Sequence, residues 1–442
     1  MSIHKKIAIG LVMGIALGVV ANNALAYSPL FATFLEFIIK YFTGPIGQIF
    51  LNMLFMTVIP LVFASIAVGV MQIGKQNKLG RIGTKTFLCF LVLTAIGTSL
   101  GILLVQIFKP GVGIDPVLQS ELISSYSNTL STKMETFTSK GGFGIHTFTN
   151  IIPRNLFTAM ENMDMLAVIF FALIMGIAIS KIPEEQSKLL EKILTSIADT
   201  MVVIVGFAIK LAPYAVFALI FNLTSKFGFA LLEKLSLFVF VVFLGYILFL
   251  TLVYMPIIGL IVKQNPLTFF KKILPIMITA FTTSSSNATL PTTIKVSEEE
   301  VGIPKDIAGF VLPLGATMNM NGTALFEGVT VLFLAQVFGV PLSIVDQVVV
   351  VLLSVLMAVG TAGIPGASIP MIMLILVNFN IPAESIAIIL GVDRILDMGR
   401  TMLNVTGDVV TAAIITKTEG SWCQSTFGTQ HINRTQSQKS AP

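Results

Sequence analysis

The sequence predicts an all-α polytopic membrane protein with eight transmembrane helices and two re-entrant helical hairpins. Of its 442 residues, 55% are hydrophobic and only 11% are charged, whereas soluble domains carry roughly 25% charged residues. The mean hydropathy is +0.92. Apolar runs of about 20 residues, long enough to cross a bilayer, recur along the chain. Two further apolar runs are interrupted by small and polar residues, which is typical of segments that enter a membrane and turn back.

The composition also excludes several classes of protein. The net charge of +5 does not indicate a nucleic-acid partner, because the lysines and arginines lie in short loops beside apolar runs, where they set topology. The cysteines, Cys89 and Cys423, form neither a disulfide framework nor a metal motif. All three histidines lie outside the apolar runs, which removes the usual general base of serine and cysteine hydrolases. We therefore expect neither an enzyme nor a bound cofactor.

Eight apolar runs, spans 1 to 8, are predicted to cross the bilayer. They cover residues 7–26, 46–73, 86–108, 164–181, 197–223, 231–262, 306–338 and 384–416. The two interrupted runs, 267–296 and 344–379, precede spans 7 and 8, which cross in opposite directions. This order is the sequence form of an inverted repeat, whose broken segments meet near the bilayer midplane and bind substrate and ions. We therefore expect the binding residues after residue 267.

Charges in the short loops set the predicted orientation. Lys5 and Lys6 precede span 1, and four more cations separate spans 2 and 3, so both places are predicted to be cytoplasmic. Counting crossings then places both termini inside and segment 109–163 outside, while residues 418–442 form a disordered cytoplasmic tail. A cleaved signal peptide is the alternative for the N-terminus, since Ala24-Leu25-Ala26 follows the first apolar run.

Span 8 carries a polar stripe that is unsuited to a lipid-facing helix. At 100° per residue, five of its polar residues fall within an arc of about 80°. They are Asp393, Asp397, Arg400, Asn404 and Asp408. Each charge at the centre of a membrane helix costs roughly 2.5 to 3.5 kcal/mol, so the stripe must face protein, ligand or water. The alternative is a soluble amphipathic helix, which conflicts with the apolar composition.

Three other apolar segments are interrupted at their middles. The first hairpin turns at residues 282–291, where serine hydroxyls and main-chain N–H groups suit an anionic group. The second turns at 360–368, where glycines permit tight geometry and movement. In span 7, residues 319–323 predict an unwound turn whose carbonyls are free for a hard cation. The alternatives are an ordinary serine loop, an ordinary Gly/Pro turn and a polar contact between helices.

Arg400 and Asp397 define the chemistry of the expected ligand. The planar guanidinium of Arg400 suits a carboxylate, and the carboxylate of Asp397 suits an ammonium group. An α-amino acid with an acidic side chain carries both groups. The alternative is a structural network of ion pairs that fixes geometry without transport.

The motifs, in this order and spacing, resemble those of the dicarboxylate/amino acid:cation symporter family, the sodium-coupled glutamate and aspartate transporters. They are the serine-rich turn ending in Thr289-Leu290-Pro291, the break at 319–323, the turn at 363–367 and the run 397–408. The resemblance is close in the second half and extends to the topology of the first.

The resemblance implies a homotrimer of elevator-type transporters. Within residues 1–266, spans 1, 2, 4 and 5 would form a scaffold and trimer contacts. Spans 3 and 6 would join the transport core of residues 267–417, and the tail of residues 418–442 would take no part.

The resemblance also implies roles for individual residues. Arg400 would hold the side-chain carboxylate of the substrate, and Asp397 its amino group. The other implied substrate ligands are Asn404, Thr401, Thr323, Ser285, Ser286, Gly363 and Pro365. One sodium site would consist of Asp408 and Asn319 with carbonyls of Gly315 and Asn404. A second would use carbonyls of Thr317, Ala358, Val359 and Thr361.

One departure from the family pattern concerns a third sodium site. Asn321 stands where the family has an aspartate, and span 3 reads Phe90, Leu93 and Thr94 where sodium-coupled relatives have a tyrosine and an adjacent Thr-Ser. With one carboxylate and two hydroxyls lost, a cation has few partners there. We predict that this site is absent or weak.

A second departure concerns a cation beside the substrate. Ser284 stands where some prokaryotic relatives have arginine, and Arg394 adds a cation one turn before Asp397. We hypothesise that Arg394 replaces that arginine as a movable partner for the carboxylates near the site.

The predicted function is import of L-glutamate or L-aspartate by sodium symport, with proton coupling left open. Neutral amino acids and C4-dicarboxylates are alternative substrates, but the former lack a carboxylate for Arg400 and the latter lack an ammonium for Asp397. An uncoupled anion channel conflicts with the coupling carboxylate Asp408. An intramembrane aspartyl protease conflicts with Asp393 and Asp397 lying on one helix. The lack of large soluble domains favours a bacterial inner membrane.

Overall fold

The computed structural model describes residues 3–25, 29–74, 80–113, 152–161, 165–228, 230–361, 363 and 365–420. Every regular element within these ranges is a helix, which confirms the predicted all-α class. Four predictions involve residues outside these ranges. They concern most of segment 109–163, the tail beyond residue 420, Cys423, and Ala362 with Ile364 in the second turn.

The described ranges contain fifteen α-helices, which we number in chain order. They are α1 (Ile3–Leu25), α2 (Pro29–Ile38), α3 (Gly44–Gly74), α4 (Gly80–Phe108), α5 (Leu156–Glu161), α6 (Met165–Ile179), α7 (Glu184–Phe227), α8 (Ala230–Phe249), α9 (Pro266–Thr283), α10 (Ser286–Val296), α11 (Lys305–Met318), α12 (Asn321–Val337), α13 (Ile344–Gly360), α14 (Ser368–Asn378) and α15 (Ala387–Thr418). Short π-helical segments extend α8 as far as Val262.

Five helical stretches in the described ranges are long and apolar enough to cross a membrane. They are Phe31–Met71, Arg81–Phe108, Glu184–Lys226, Glu233–Val262 and Lys305–Val337, and they correspond to predicted spans 2, 3, 5, 6 and 7. Spans 1 and 6 of the prediction start within one or two turns of α1 and α8. Span 5 differs more, because α7 begins at Glu184 and takes in residues that lie between predicted spans 4 and 5.

Both interrupted runs fold as pairs of helices. Helices α9 and α10 contact each other across a turn at Ser284 and Ser285, and Ser285 caps α10 by accepting a hydrogen bond of 3.2 Å from the N–H of Ala288. Helices α13 and α14 also contact each other. Ser343 and Asp346 form a capping box at the start of α13, which fixes where this helix begins.

Span 7 is broken as predicted, but the break is short. Helix α11 ends at Met318 and α12 begins at Asn321. Both residues between them have non-helical backbone angles, φ −109° at Asn319 and φ −104° at Met320. Helix ends leave main-chain N–H and carbonyl groups without helical partners, so the break exposes both kinds of group in the interior of the protein.

The helices form two groups that pack mainly within themselves. Helix α7 packs against α1 and α3, and α3 also packs against α6. Helices α4 and α8 instead pack against α12 and α15 in the second half of the chain. The approach of α4 to α12 is close, since a Cβ atom added at Gly101 would lie 2.5 Å from the carbonyl oxygen of Leu325.

A cluster of charges joins α4 to the end of α15, and we call it the clasp. Glu419 follows α15 and accepts hydrogen bonds from Arg81 and from Lys85, the latter at 2.6 Å. These hydrogen bonds, with that from Arg81 the stronger influence, lower the pKa of the Glu419 carboxyl. The clasp therefore ties one end of α4 to the helix that carries the polar stripe.

Candidate functional site

The polar stripe of α15 faces the protein interior, as predicted. Its five residues, Asp393, Asp397, Arg400, Asn404 and Asp408, are each less than 5% exposed. Burying charges at this depth is favourable only when they are paired and hydrogen-bonded. The partners of each charge therefore decide what the stripe can bind.

Arg400 lies between two carboxylates on its own helix. Its Nε donates to Oδ1 of Asp397 at 3.1 Å and its Nη2 donates to the same oxygen. Its Nη1 donates to Oδ1 of Asp393 at 3.3 Å. The guanidinium also lies over the ring of Phe326, 4.5 Å from the ring centroid, in a cation–π arrangement. The structure thus contains the ion-pair network, and the guanidinium is oriented by contacts on three sides.

Asp397 is shared between two cations and the second turn. Its Oδ2 accepts a hydrogen bond of 3.1 Å from Nη1 of Arg394 and one of 3.3 Å from the main-chain N–H of Gly366. An ammonium group that approaches Asp397 must compete with both donors. This contact agrees with the hypothesis that Arg394 is a partner of carboxylates beside the site, although its movement stays a prediction.

Asn404 joins the stripe to the break in span 7. Its Oδ1 accepts hydrogen bonds from the main-chain N–H groups of Gly322, at 2.7 Å, and Thr323, at 3.2 Å. Its Nδ2 donates to Oγ1 of Thr323 at 3.1 Å. Gly322 is required at this approach, because an added Cβ would lie 2.5 Å from the carbonyl oxygen of Arg400. The first turn of α12 is thereby held against α15.

The two turns contact each other over the site. Oγ of Ser285 donates to the carbonyl oxygen of Gly363 at 2.7 Å, and the N–H of Asn287 donates to the same oxygen at 3.2 Å. A Cβ at Gly363 would lie 2.6 Å from the carbonyl oxygen of Ala316, so only glycine fits there. Ser285 thus bonds the opposite turn.

A small cavity, with a volume of about 10 Å³, lies beneath these turns. Its lining combines both turns, the break in span 7 and the stripe. The lining residues are Ser284, Ser286, Met320, Thr323, Thr361, Gly363, Ala367, Ser368, Asp397, Arg400, Thr401 and Asn404. A larger open groove on the outer face of α7 has one charged lining residue, Lys192, and no buried ion pair, so we place the candidate site in the small cavity.

The cavity brings together most of the predicted substrate ligands. Arg400, Asp397, Asn404, Thr401, Thr323, Ser286 and Gly363 line it. Ser285 and Pro365 do not: the hydroxyl of Ser285 is engaged with the opposite turn, and Pro365 is half-buried in the second turn. Proximity does not by itself show binding, so the individual roles stay predictions.

A second buried polar cluster, suited to a cation, lies next to the cavity. Nδ2 of Asn319 donates to Oδ1 of Asp408 at 2.8 Å, and the Oδ1 of Asn319 is buried without a hydrogen-bond partner. Gly315 packs against the carboxylate so closely that an added Cβ would lie 2.4 Å from Oδ1 of Asp408. A carboxylate, an unpaired amide oxygen and a nearby helix end form a donor set that fits a hard cation.

The residues of the other predicted sodium site lie where two helices end. Thr317 is in the last turn of α11, and Ala358 and Val359 are in the last turn of α13. Helices α11 and α13 contact each other, and Thr361, which caps α13, donates to the carbonyl oxygen of Met357 at 2.8 Å. Carbonyls at helix C-termini carry partial negative charge, so this junction suits a cation.

Where the family pattern has a third sodium site, this chain has a network of uncharged hydrogen-bonded side chains. Oγ1 of Thr94 donates to Oδ1 of Asn321 at 2.8 Å, and Nδ2 of Asn321 donates to the hydroxyl of Tyr254 at 2.9 Å. The Tyr254 hydroxyl in turn donates to the carbonyl oxygen of Leu403 at 3.1 Å. Phe90 and Leu93 contribute only buried apolar surface. Since both polar atoms of the Asn321 amide are engaged, the network supports the prediction that this site is absent or weak.

Two residues of this interior were not recognised from the sequence. Tyr254 belongs to a π-helical segment of residues 250–254, and nothing in the apolar pattern of span 6 indicates that it reaches Asn321. Glu327 on α12 is fully buried, and neither of its carboxylate oxygens has a hydrogen-bond partner. The sequence does contain a signal for Glu327, since it is an acidic residue in the middle of apolar span 7 and intramembrane acids are usually functional.

Comparison with known proteins supports the same interpretation. Residues 3–418 match the model of the sodium:dicarboxylate symporter family. A proton/sodium-glutamate symport protein of Geobacillus stearothermophilus is 35% identical over 437 residues, which cover 98% of this chain and 97% of that protein.

Two further relatives cover most of the chain. A proton/glutamate-aspartate symporter of Escherichia coli (strain K12) is 34% identical, with 95% of this chain and 93% of that protein aligned. A C4-dicarboxylate transport protein of Bacillus subtilis (strain 168) is 30% identical, with 86% of this chain and 88% of that protein aligned. The resemblance noted from the four motifs thus extends over nearly the whole chain.

Proposed function

Because the chain belongs to the sodium:dicarboxylate symporter family, we propose that it is a secondary active symporter that imports L-glutamate or L-aspartate together with sodium. The observation that carries the proposal is the buried pair of Arg400 and Asp397 in one small cavity. A guanidinium and a carboxylate side by side match the acidic side chain and the ammonium group of one substrate. Relatives that are glutamate symporters support this substrate class.

In the proposed mechanism, the substrate replaces internal partners. Its side-chain carboxylate takes donors of Arg400 that now bond Asp393 and Asp397, and its ammonium group takes the place of Arg394 and Gly366 at Asp397. The turns must separate to admit it, because Ser285 and Gly363 are hydrogen-bonded over the cavity. Bound substrate that contacts both turns would hold them closed again. Substrate binding would thereby be coupled to movement of the transport core.

Sodium is the proposed co-substrate. Asp408 with Asn319 and Gly315 forms one site, and the helix ends at Thr317, Ala358 and Val359 form the other. Asn404 connects the first site to the cavity, since it bonds α12 directly after the break that begins at Asn319. Sodium at Asp408 would fix this break in the shape that binds substrate, and the two affinities would then rise together.

We assign a coupled proton, where one is used, to Glu327. Its carboxyl group is buried without a hydrogen-bond partner, and burial of an unpaired charge is costly. Its charge interacts with that of Arg400, so its protonation state changes the electrostatics of the substrate site. Relatives named as proton symporters support a proton as coupling ion.

The finer architecture is also part of the proposal. The apolar helices and the family make the chain a multi-pass membrane protein. We propose eight crossings with two re-entrant hairpins, cytoplasmic termini and a homotrimer in a bacterial inner membrane. The separate packing of α1, α3, α6 and α7 supports their role as a scaffold past which the remaining helices move. No enzymatic activity and no cofactor are proposed.

The proposal is tested by uptake of labelled L-glutamate and L-aspartate into vesicles that contain the purified protein. Sodium and proton gradients are imposed separately, and excess malate or L-alanine is added as competitor. Accumulation driven by a sodium gradient, with weak competition, is expected. Accumulation of malate or L-alanine in preference to acidic amino acids would transfer the assignment to dicarboxylates or neutral amino acids, and an absence of any accumulation would reject symport.

A further inference from the structure

Ser368 has a hydroxyl group that the fold does not use. The residue is 2% exposed, lines the same cavity as Arg400 and Asp397, and its Oγ has no hydrogen-bond partner. A buried hydroxyl without a partner is unfavourable and is rare in folded proteins. A ligand that enters when the two turns separate is a partner that the geometry leaves for this group.

The hydroxyl is not needed to start its helix. Serine at a helix start usually accepts a hydrogen bond from a main-chain N–H as the N-cap. In α14 the N-cap is Ala367, and no side chain caps the helix. Ala367 and Ser368 both line the cavity, so the N-terminal end of this 11-residue helix lies at the cavity wall. The positive end of the helix dipole and the free hydroxyl therefore both favour a negatively charged group.

Three of the five other hydroxyls in the cavity wall are less suited to this role. Oγ1 of Thr323 bonds Asn404, and Oγ1 of Thr361 bonds a main-chain carbonyl. Ser284 also has a buried Oγ without a partner, but it follows the C-terminal end of α9. The partial negative charge at that end disfavours a carboxylate. Ser368 combines a free donor with a helix N-terminus.

We propose that Ser368 is a specificity-determining residue that donates its hydroxyl hydrogen to the side-chain carboxylate of the acidic amino acid. Arg400 provides the opposite charge, but in the absence of substrate its donors are engaged by Asp393 and Asp397. The Ser368 hydroxyl requires no such exchange of partners. The inference rests on the proposed transport of acidic amino acids and identifies a further residue that recognises them.

The experiment uses Ser368→Ala in the full-length protein. We expect KM for L-aspartate and L-glutamate to rise about ten-fold, as for loss of a hydrogen bond to a charged group. The melting temperature without substrate should stay unchanged or rise, because the variant removes an unpaired buried hydroxyl. The increase in melting temperature on adding substrate should shrink. Ser297→Ala is the matched control, since its Oγ is equally buried and unpaired but does not line the cavity.

Three outcomes would overturn the inference, and they are distinguishable. An unchanged KM in Ser368→Ala, with active wild-type protein, removes Ser368 as a ligand and leaves the proposed function intact. A higher KM accompanied by a lower melting temperature without substrate indicates a structural role. Wild-type protein that accumulates no acidic amino acid rejects the proposed function, and this inference with it.

Discussion

Nδ2 of Asn319 donates a hydrogen bond of 2.8 Å to Oδ1 of Asp408, and the carbonyl oxygen of the same asparagine side chain has no partner. The two residues are 89 positions apart, and they meet because the break between α11 and α12 lies against α15. This pair links the ion site to the substrate site. Asn319 is the first residue of the break, and Asn404 accepts hydrogen bonds from Gly322 and Thr323 directly after it.

Replacement of Asp408 by Asn should abolish the coupling of uptake to sodium. The variant keeps the shape of the side chain but removes the only carboxylate of the cluster, so we expect sodium affinity to fall roughly 100-fold, because ligand charge sets cation affinity. The sodium concentration that gives half-maximal substrate uptake measures this affinity. Asp306→Asn on exposed α11 surface should behave as wild type. Wild-type sodium dependence in Asp408→Asn would exclude this site.

Replacement of Arg400 by Lys should raise KM for acidic substrates at least ten-fold, roughly the cost of losing charge-assisted hydrogen bonds. Lysine keeps the charge but lacks the planar fork. Arg400→Ala should in addition destabilise the protein by about 3 to 5 kcal/mol, because two buried carboxylates lose hydrogen bonds to a cation. Thermal unfolding and uptake kinetics separate the effects. Arg154→Lys, at an exposed arginine, is the control, and near-normal KM in Arg400→Lys would contradict the assignment.

Replacement of Arg394 by Ala should change transport kinetics. Arg394 holds Oδ2 of Asp397 at 3.1 Å, where the substrate ammonium is predicted to bind. Without Arg394, the substrate ammonium no longer has to displace a charge-assisted hydrogen bond from Asp397, so KM should fall by ~5-fold. The maximal rate should also change. Arg394→Lys restores the charge and should restore part of the wild-type behaviour. Unchanged uptake in Arg394→Ala would disprove the hypothesis that Arg394 is a movable partner.

Replacement of Asn321 by Asp should create a dependence on cations. The network of Thr94, Asn321 and Tyr254 is neutral and fully bonded, so an added buried carboxylate would lower stability by several kcal/mol, about the cost of an unpaired buried charge. Sodium or acidic pH should restore the melting temperature, because either neutralises the carboxylate. Asn378→Asp, at a half-buried position of α14, provides a comparison. Full stability without sodium at neutral pH would contradict a closed third site.

Replacement of Glu419 by Gln should remove a pH-dependent contribution to stability. The clasp lowers the pKa of the Glu419 carboxyl. Its contribution is therefore present above the pKa of the unfolded chain, and it is lost as pH falls through the lower pKa of the folded protein. The variant should melt below wild type at neutral pH, most clearly at low salt, and the two should converge at acidic pH. Glu233→Gln, at an exposed glutamate of α8, should show no such convergence, and parallel melting curves at all pH values would exclude the clasp.

Local features of the sequence predicted most of the helices and the burial of the polar stripe. Apolar runs of membrane length predicted the spans, since helix length follows bilayer thickness. The 100° period placed Asp393 through Asp408 on one face, and all five are buried. Breaks were predicted where serine, glycine and asparagine interrupt apolar sequence, because these residues are less favourable in a helix interior.

Only the tertiary structure decided which groups meet. The hydrogen bond between Ser285 and Gly363, the contact of Tyr254 with Asn321 and the burial of Glu327 depend on how distant helices pack. Sequence periodicity fixes the face on which a side chain lies, but the partner on that face depends on the position of another helix. The chemistry of the stripe was therefore determined by its sequence, whereas the free hydroxyl of Ser368 and the unpaired oxygen of Asn319 depend on which groups the neighbouring helices bring near them.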